Sequence, residues 1–287
     1  MLSSDFYCSN KDTYPPFKNG LYLEEYFLQK FYKLKPVLKK VYIPCLRTNF
    51  QIEFNFPSKK NKMNNELQEW IKNNPFENGY FTVVQYDDGC LLNLPNNTTV
   101  FGACSGDIPI PLIYEDKDNL LISRKIDKTF HEKQILCSFV GSNTHNVRSS
   151  IINFFHNDKD FNFQVNNFWT PNVDIQNQEK FINTTCNSKF CLAPRGYGRS
   201  SFRFFEILKL GSIPIYIYDD IEWLPYKDKI NYSLFSISLK VNELNQLKNI
   251  LLSIDEIKYK NMLEEYEKIQ YLFTLDGMYD YIIEKTY

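Results

Sequence analysis

Residues 189–220, KFCLAPRGYGRSSFRFFEILKLGSIPIYIYDD, set an apolar strand-like run on each side of a glycine-bearing loop and a helix-like run. Strands joined through a helix pair parallel, with a right-handed crossover. In SFRFFEILKLG, Phe202, Phe205 and Leu208 recur at three-residue steps, which predicts a face turned to the sheet. Gly211 is a natural helix stop, and β-branched residues then resume as a strand. The unit raises a chemical question, because Arg195, Ser200, Ser201, Arg203 and Glu206 crowd the join between loop and helix.

The same rhythm runs through the rest of the chain. Apolar residues Leu23, Tyr26, Phe27, Phe31 and Leu34 have helical spacing, and KKVYIPCL reads as a short strand. A helix at MNNELQEWIKNN follows, then a strand at YFTVVQY that ends in Asp87 and Asp88. TTVFGAC and the proline-broken IPIPLIY complete a first half, and KTFHEKQ reads as a boundary. After it come strand ILCSFVG, helix VRSSIINFFHN, a strand near DFNFQV and helix NQEKFINTTCN. Past IYIYDD lie the strand LFSISL and three helical runs that reach the C-terminus. The expectation is two parallel-sheet domains, at residues 1–130 and 131–287, with the last helix able to cross back. Ligand then belongs in the crevice facing the carboxyl ends of their strands.

Composition removes several classes of function. The chain has 287 residues, and a hydrophobic fraction of 43% is enough to fill real cores. Net charge is −1 with no block of like charges, so no basic face for nucleic acid is expected. The seven cysteines are odd in number, contain no Cys-x-x-Cys pair and fall partly in apolar runs. They read as reduced core thiols of a cytoplasmic protein, with neither a disulfide framework nor a metal site. His131, His145 and His156 show no ligand spacing and read as loop residues. No run reaches membrane-spanning length, and the N-terminus lacks a signal core.

The loop RGYGRSS delivers the chain to a helix N-terminus, where unpaired N–H groups and the helix dipole favour an anion. Gly196 and Gly198 permit close backbone approach. Ser200 and Ser201 offer hydroxyls or a helix cap. Arg195 and Arg203 add planar, permanently charged forks suited to phosphate. Glu206, one turn further, is placed to accept from both hydroxyls of a ribose. The bland alternative is a surface ion pair between Arg203 and Glu206, worth about 0.3–0.5 kcal/mol. The loop lacks the third glycine of a nicotinamide-dinucleotide fingerprint, and no Gly-Lys-Ser/Thr makes it a Walker loop.

FCLAPRGYGRSSFRFFEILKLGSIPIYIYDDIEWLPY resembles the signature of exostosin-type glycosyltransferases, over nearly forty residues. GACSGDIPIPLI and FVGSNTHNVRSSI resemble weaker upstream segments of that family, and the short chain looks most like the exostosin-like transferases of large DNA viruses. The resemblance implies a GT-B-like α/β fold, two Rossmann-like domains facing a cleft. It implies an inverting, metal-independent reaction with no cofactor, in which a UDP-sugar donor meets a glycan or glycoprotein acceptor. Carried over, Arg195 and Arg203 hold the diphosphate and Glu206 the ribose. Arg148 helps from the loop near Gly141, and Gly196, Tyr197, Ser200 and Ser201 complete the donor site.

Inversion needs a base on the face opposite the leaving diphosphate. Asp88 is favoured over Asp87, with Asp107 next. A clear Arg-Asp-His segment of other members is missing. By spacing alone, Asp87, Asp88 and Gly89 fit a tight turn equally well. Trp70 and Trp169 read as packing and Trp223 as a residue lining the cleft. The rival readings are a non-catalytic nucleotide-sugar or glycan-binding module and a GDP-sugar-dependent transferase.

Overall fold

A computed structural model describes residues 2–9, 12–166 and 168–287. Its described residues form two all-parallel sheets. The first contains β1 (Val41–Tyr42), β2 (Tyr80–Val84), β3 (Thr98–Gly102) and β4 (Ile108–Pro109), in that spatial order. The second contains β5 (Ile135–Ser142), β6 (Phe161–Asn166), β7 (Ser188–Leu192), β8 (Ile213–Tyr218) and β9 (Ile237–Lys240), ordered β6-β5-β7-β8-β9. The expected pair of Rossmann-like α/β units is therefore present. Every residue of β2 is buried, as are the first five of β8, which is why both read as unbroken apolar runs. β1 and β4 are short because Pro44, Pro109 and Pro111 remove ladder donors.

In the first unit α1 (Leu23–Leu34), α2 (Arg47–Gln51) and α3 (Phe56–Asn73) accompany the sheet. α3 begins well before MNNELQEWIKNN because Pro57 suits a helix start and Phe56 is buried. The second unit carries α4 (Asn146–Phe155), α5 (Ile175–Cys186), α6 (Phe202–Lys209), α7 (Leu244–Leu252) and α8 (Glu256–Ile269). His145, Asp174, Ser201 and Asp255 cap the starts of α4, α5, α6 and α8 with side-chain acceptors.

The last helix, α9 (Leu275–Thr286), returns to the first unit. Its Tyr279 ring lies 5.2 Å from Phe27 of α1. One continuous core then runs through both units, from Phe27, Phe81 and Phe101 to Phe204, Phe205 and Phe273. α6 sits inside that junction, so Phe204 through Leu208 are all buried. The single sheet-facing stripe expected of α6 is corrected accordingly. Phe202 is half-buried and packs edge-on to Tyr14 and Tyr114 instead. Trp223 is also corrected: it does not line the cleft. It is buried, and its indole N–H donates to the Gly102 carbonyl at 3.2 Å, pinning the loop after β8 to the end of β3.

In the second sheet the chain leaves β5 for β6 on one side, and β7 pairs on the other. The loops after β5 and β7 therefore diverge and open a crevice at the carboxyl ends of their strands. Arg148, Gly196 and Arg203 come from those two loops and the helices they start.

Candidate active site

A cavity of about 310 Å³ lies between the two units, at this crevice. Its second-unit wall carries Arg148, Gly196, Tyr197, Ser200, Ser201, Arg203 and Glu206. Arg148, in the first turn of α4, is buried. It donates through Nε to the Arg195 carbonyl at 2.9 Å and through Nη1 to the Ser142 carbonyl at 2.7 Å. It thereby ties the loop after β5 to the loop after β7. Arg203 follows the Ser201 cap of α6, whose hydroxyl accepts from its N–H at 3.4 Å. Gly141 makes room for its guanidinium. The glycine has φ +155°, and a Cβ there would lie 2.4 Å from Arg203 Nη2.

Arg148 and Arg203 both lie over one ring, Phe139, at 5.6 and 5.2 Å. No carboxylate forms an ion pair with either guanidinium among the described residues. Burial, and then the nearby Arg203, push Arg148 down to about 9. A guanidinium does not give up its proton at neutral pH, so the repulsion stands until an anion enters. Arg203 Nε is moreover buried without a hydrogen-bond partner. Glu206 is 8% exposed and accepts from the Tyr114 hydroxyl at 2.8 Å, which rules out the exposed ion pair. Burial pushes its carboxyl up, against the pull of Tyr114 and Arg203.

Arg195 stands differently from the expectation. It is absent from the cavity wall, and its Nη1 pairs with Asp219 at 2.9 Å and Asp220 at 3.2 Å. The chain beyond β7 still runs beside β8, with Arg195 N–H donating to the Ile217 carbonyl at 3.4 Å. The paired aspartates ending β8 are therefore its nearest counter-charges. Its Nη2 donates to the Tyr197 carbonyl at 3.2 Å, so it shapes the loop rather than facing the cavity. The two loop glycines admit protein groups. A Cβ on Gly196 would lie 2.9 Å from Arg148 Nη2, and one on Gly198 2.4 Å from Asp87 Oδ1. Tyr197 is 60% exposed at the cavity mouth.

The first-unit wall comes from the end of β2. Residues 86–89 form the tight turn that Asp87, Asp88 and Gly89 also predicted, with Gly89 N–H donating to the Tyr86 carbonyl at 3.0 Å and Gly89 at φ +76°. The turn faces Asp87 into the cavity and leaves Asp88 exposed outside it. Burial raises the Asp87 carboxyl above the usual aspartate value. Hydrogen bonds from the Cys104 thiol and the Gly198 backbone oppose the rise, and Asp88 adds to it. Asp107 is exposed and outside the cavity. Its Oδ2 accepts from Val100 N–H at 2.8 Å, and its own N–H donates to the Val100 carbonyl, which closes the loop between β3 and β4.

Other wall residues carried no motif. Tyr14, Pro15 and Phe17 come from the turn-rich N-terminal stretch, and Trp169, Asn177, Gln178 and Phe181 from the segment between β6 and α5 and from α5 itself. The one available signal was position, since the segment after β6 also leaves the carboxyl edge of the sheet. Trp169, read as packing, is 42% exposed at the wall. His145 is the α4 cap, with Nδ1 accepting from Val147 N–H at 3.2 Å.

Two parallel α/β units thus enclose, at their shared carboxyl edge, a cavity whose Arg148 and Arg203 lining suits an anion. The Exostosin GT47 domain matches residues 72–254, well over half of the chain, and the chain belongs to that family. It is 35% identical over 83 residues to a probable glycosyltransferase of Arabidopsis thaliana, covering 29% of this chain and 17% of that one. It is 25% identical over 204 residues to an exostosin-1 homolog of Caenorhabditis elegans, covering 62% and 52%. A probable arabinosyltransferase of Arabidopsis thaliana is 35% identical over 93 residues, covering 31% and 21%. The chain thus spans about half or less of the length of these relatives. Among the described residues no helix is long and apolar enough to cross a membrane.

Proposed function

We propose that the chain is an inverting glycosyltransferase that moves a sugar from a UDP-sugar to a hydroxyl of a glycan acceptor. The supporting observation is the pairing of unlike walls across one cavity, Arg148, Arg203 and Glu206 against Asp87. In this reading Arg148 and Arg203 hold the diphosphate, and Glu206 accepts from the ribose hydroxyls. Asp87 takes the proton of the acceptor hydroxyl as its oxygen attacks the anomeric carbon. The bond from that carbon to the diphosphate breaks on the opposite face, and the departing charge stays on the two guanidiniums. No cofactor enters, and the guanidiniums supply the positive charge. The named relatives include an arabinosyltransferase, so hexosyl and pentosyl donors both belong in a screen.

Arg203 is the most direct test of the donor seat. Its guanidinium carries an unpartnered buried nitrogen in the cavity wall, and each hydrogen bond to a charged group contributes roughly 1.5–3 kcal/mol. Arg203→Ala is expected to weaken UDP binding by about 10–100-fold in a calorimetric titration, with inorganic diphosphate weakened alongside. Wild-type affinity in that variant removes the diphosphate assignment.

Gly198 tests the apposition of the two walls. A methyl there meets Asp87 Oδ1 at 2.4 Å and Cys104 Sγ at 2.6 Å. Gly198→Ala is expected to lower stability by about 1–3 kcal/mol, as overpacking does. By displacing the base it should cut transfer about 100-fold. Urea unfolding and a transfer assay read the two effects. Full turnover in this variant would show that the Asp87 position does not matter.

A further inference from the structure

We propose that Tyr14 is a donor-site residue, whose hydroxyl gives a hydrogen bond to the diphosphate held between Arg148 and Arg203. The inference rests on the reading of that seat given above. Tyr14 lies outside the segment that matches the family domain, which begins at residue 72. It belongs to a strap, residues 12–20, that leaves the first unit in sequence but docks on the second in space. Phe17 is 1% exposed and packs with Val140, Phe181 and Leu210 beside the cavity. Behind it the Tyr22 hydroxyl lies 2.7 and 2.6 Å from the carbonyls of Asp12 and Tyr14, and Asn19 N–H donates to the Glu115 carbonyl at 3.3 Å. Tyr22 also bridges to Tyr114, the residue that donates to Glu206. The strap is thus a fixed wall.

The Tyr14 ring is half-buried and meets Trp169 and Phe202 edge-on, with centroids at 5.3 and 6.1 Å. The residue lines the same cavity as Arg148, Arg203 and Glu206. Burial raises the Tyr14 hydroxyl above its usual range, so it stays protonated at neutral pH and serves as a donor. With Tyr14, Arg148 and Arg203 on one cavity wall, its proton is placed to be given to an anion seated between the two guanidiniums.

The test is calorimetric, with UDP, inorganic diphosphate and uridine titrated into wild type, Tyr14→Phe and Trp169→Phe. Tyr14→Phe keeps the ring and its packing, and thermal melting checks that the fold survives. The proposal expects UDP and diphosphate to bind about tenfold more weakly to Tyr14→Phe, with uridine unchanged. Trp169→Phe should show a smaller loss of the same selectivity. A packing role alone would weaken uridine as much as UDP, and that result overturns the proposal. Equal UDP affinity in Tyr14→Phe and wild type overturns it while leaving the donor seat standing. Failure of wild type to bind either UDP or diphosphate removes the donor seat and the strap's role with it.

Discussion

Asp87→Asn is expected to cut transfer by about 10²–10⁴-fold, the span usual for loss of a general base. Asparagine keeps the size of the side chain but cannot accept the proton of the acceptor hydroxyl. UDP affinity should stay within about twofold, because the groups assigned to phosphate and ribose lie on the opposite wall. The pH profile gives a second readout. The base works only when ionised, so activity falls as pH drops through its pKa. Burial raises that value, so the acid limb should lie above the ordinary aspartate range. Asp88→Asn and Asp107→Asn should retain near-normal turnover, since one side chain is exposed outside the cavity and the other closes a loop. A full-speed Asp87→Asn enzyme would place the base elsewhere.

Glu24→Ala should lower stability by roughly 3–5 kcal/mol, because it orphans three hydrogen-bond donors at roughly 1–3 kcal/mol each. Glu24 is 2% exposed, and its carboxylate accepts from Thr48 N–H at 3.0 Å, the Thr48 hydroxyl at 2.6 Å and Gln85 N–H at 2.6 Å. It clamps α1 to α2 and to the end of β2, two residues before Asp87. Beside it Arg47 is fully buried, with Nε donating to the Thr82 hydroxyl at 3.0 Å and both Nη atoms unpartnered. Alanine would orphan those three donors at α2 and the end of β2. Urea unfolding at pH 6 measures the effect, and a loss below about 1 kcal/mol would mean that the network relaxes freely. Burial pushes Glu24 up to about 7, so its folded value lies above its unfolded one, about 4.3. Its contribution is therefore fully present below about pH 4.3 and lost as pH rises through about 7.

The strands and most helices were legible because each carries its period locally. IPIYIY is apolar throughout, as a strand covered on both faces must be, and it is β8. The placing of Arg203 after the Ser201 cap was legible for a similar reason, since loop, cap and helix are contiguous in sequence, whereas Arg148 reaches the same cavity from α4. What escaped depended on distant neighbours. Arg195 looked like a phosphate ligand until β8 brought Asp219 and Asp220 alongside. Asp87 and Asp88 differ only in the direction that one turn gives them, which alternation along β2 does not determine past the strand end. α6 appeared amphipathic, but its second face is covered by the other unit. The strap around Tyr14 carries no periodicity, and its place beside Phe181 follows only from tertiary packing.

The most direct measurement is a calorimetric titration of the wild-type chain with UDP and with GDP in buffer containing a chelator. The account predicts that UDP binds at one site per chain without added metal, and more tightly than GDP. Binding of neither nucleotide, binding only after metal is restored, or a preference for GDP would contradict it.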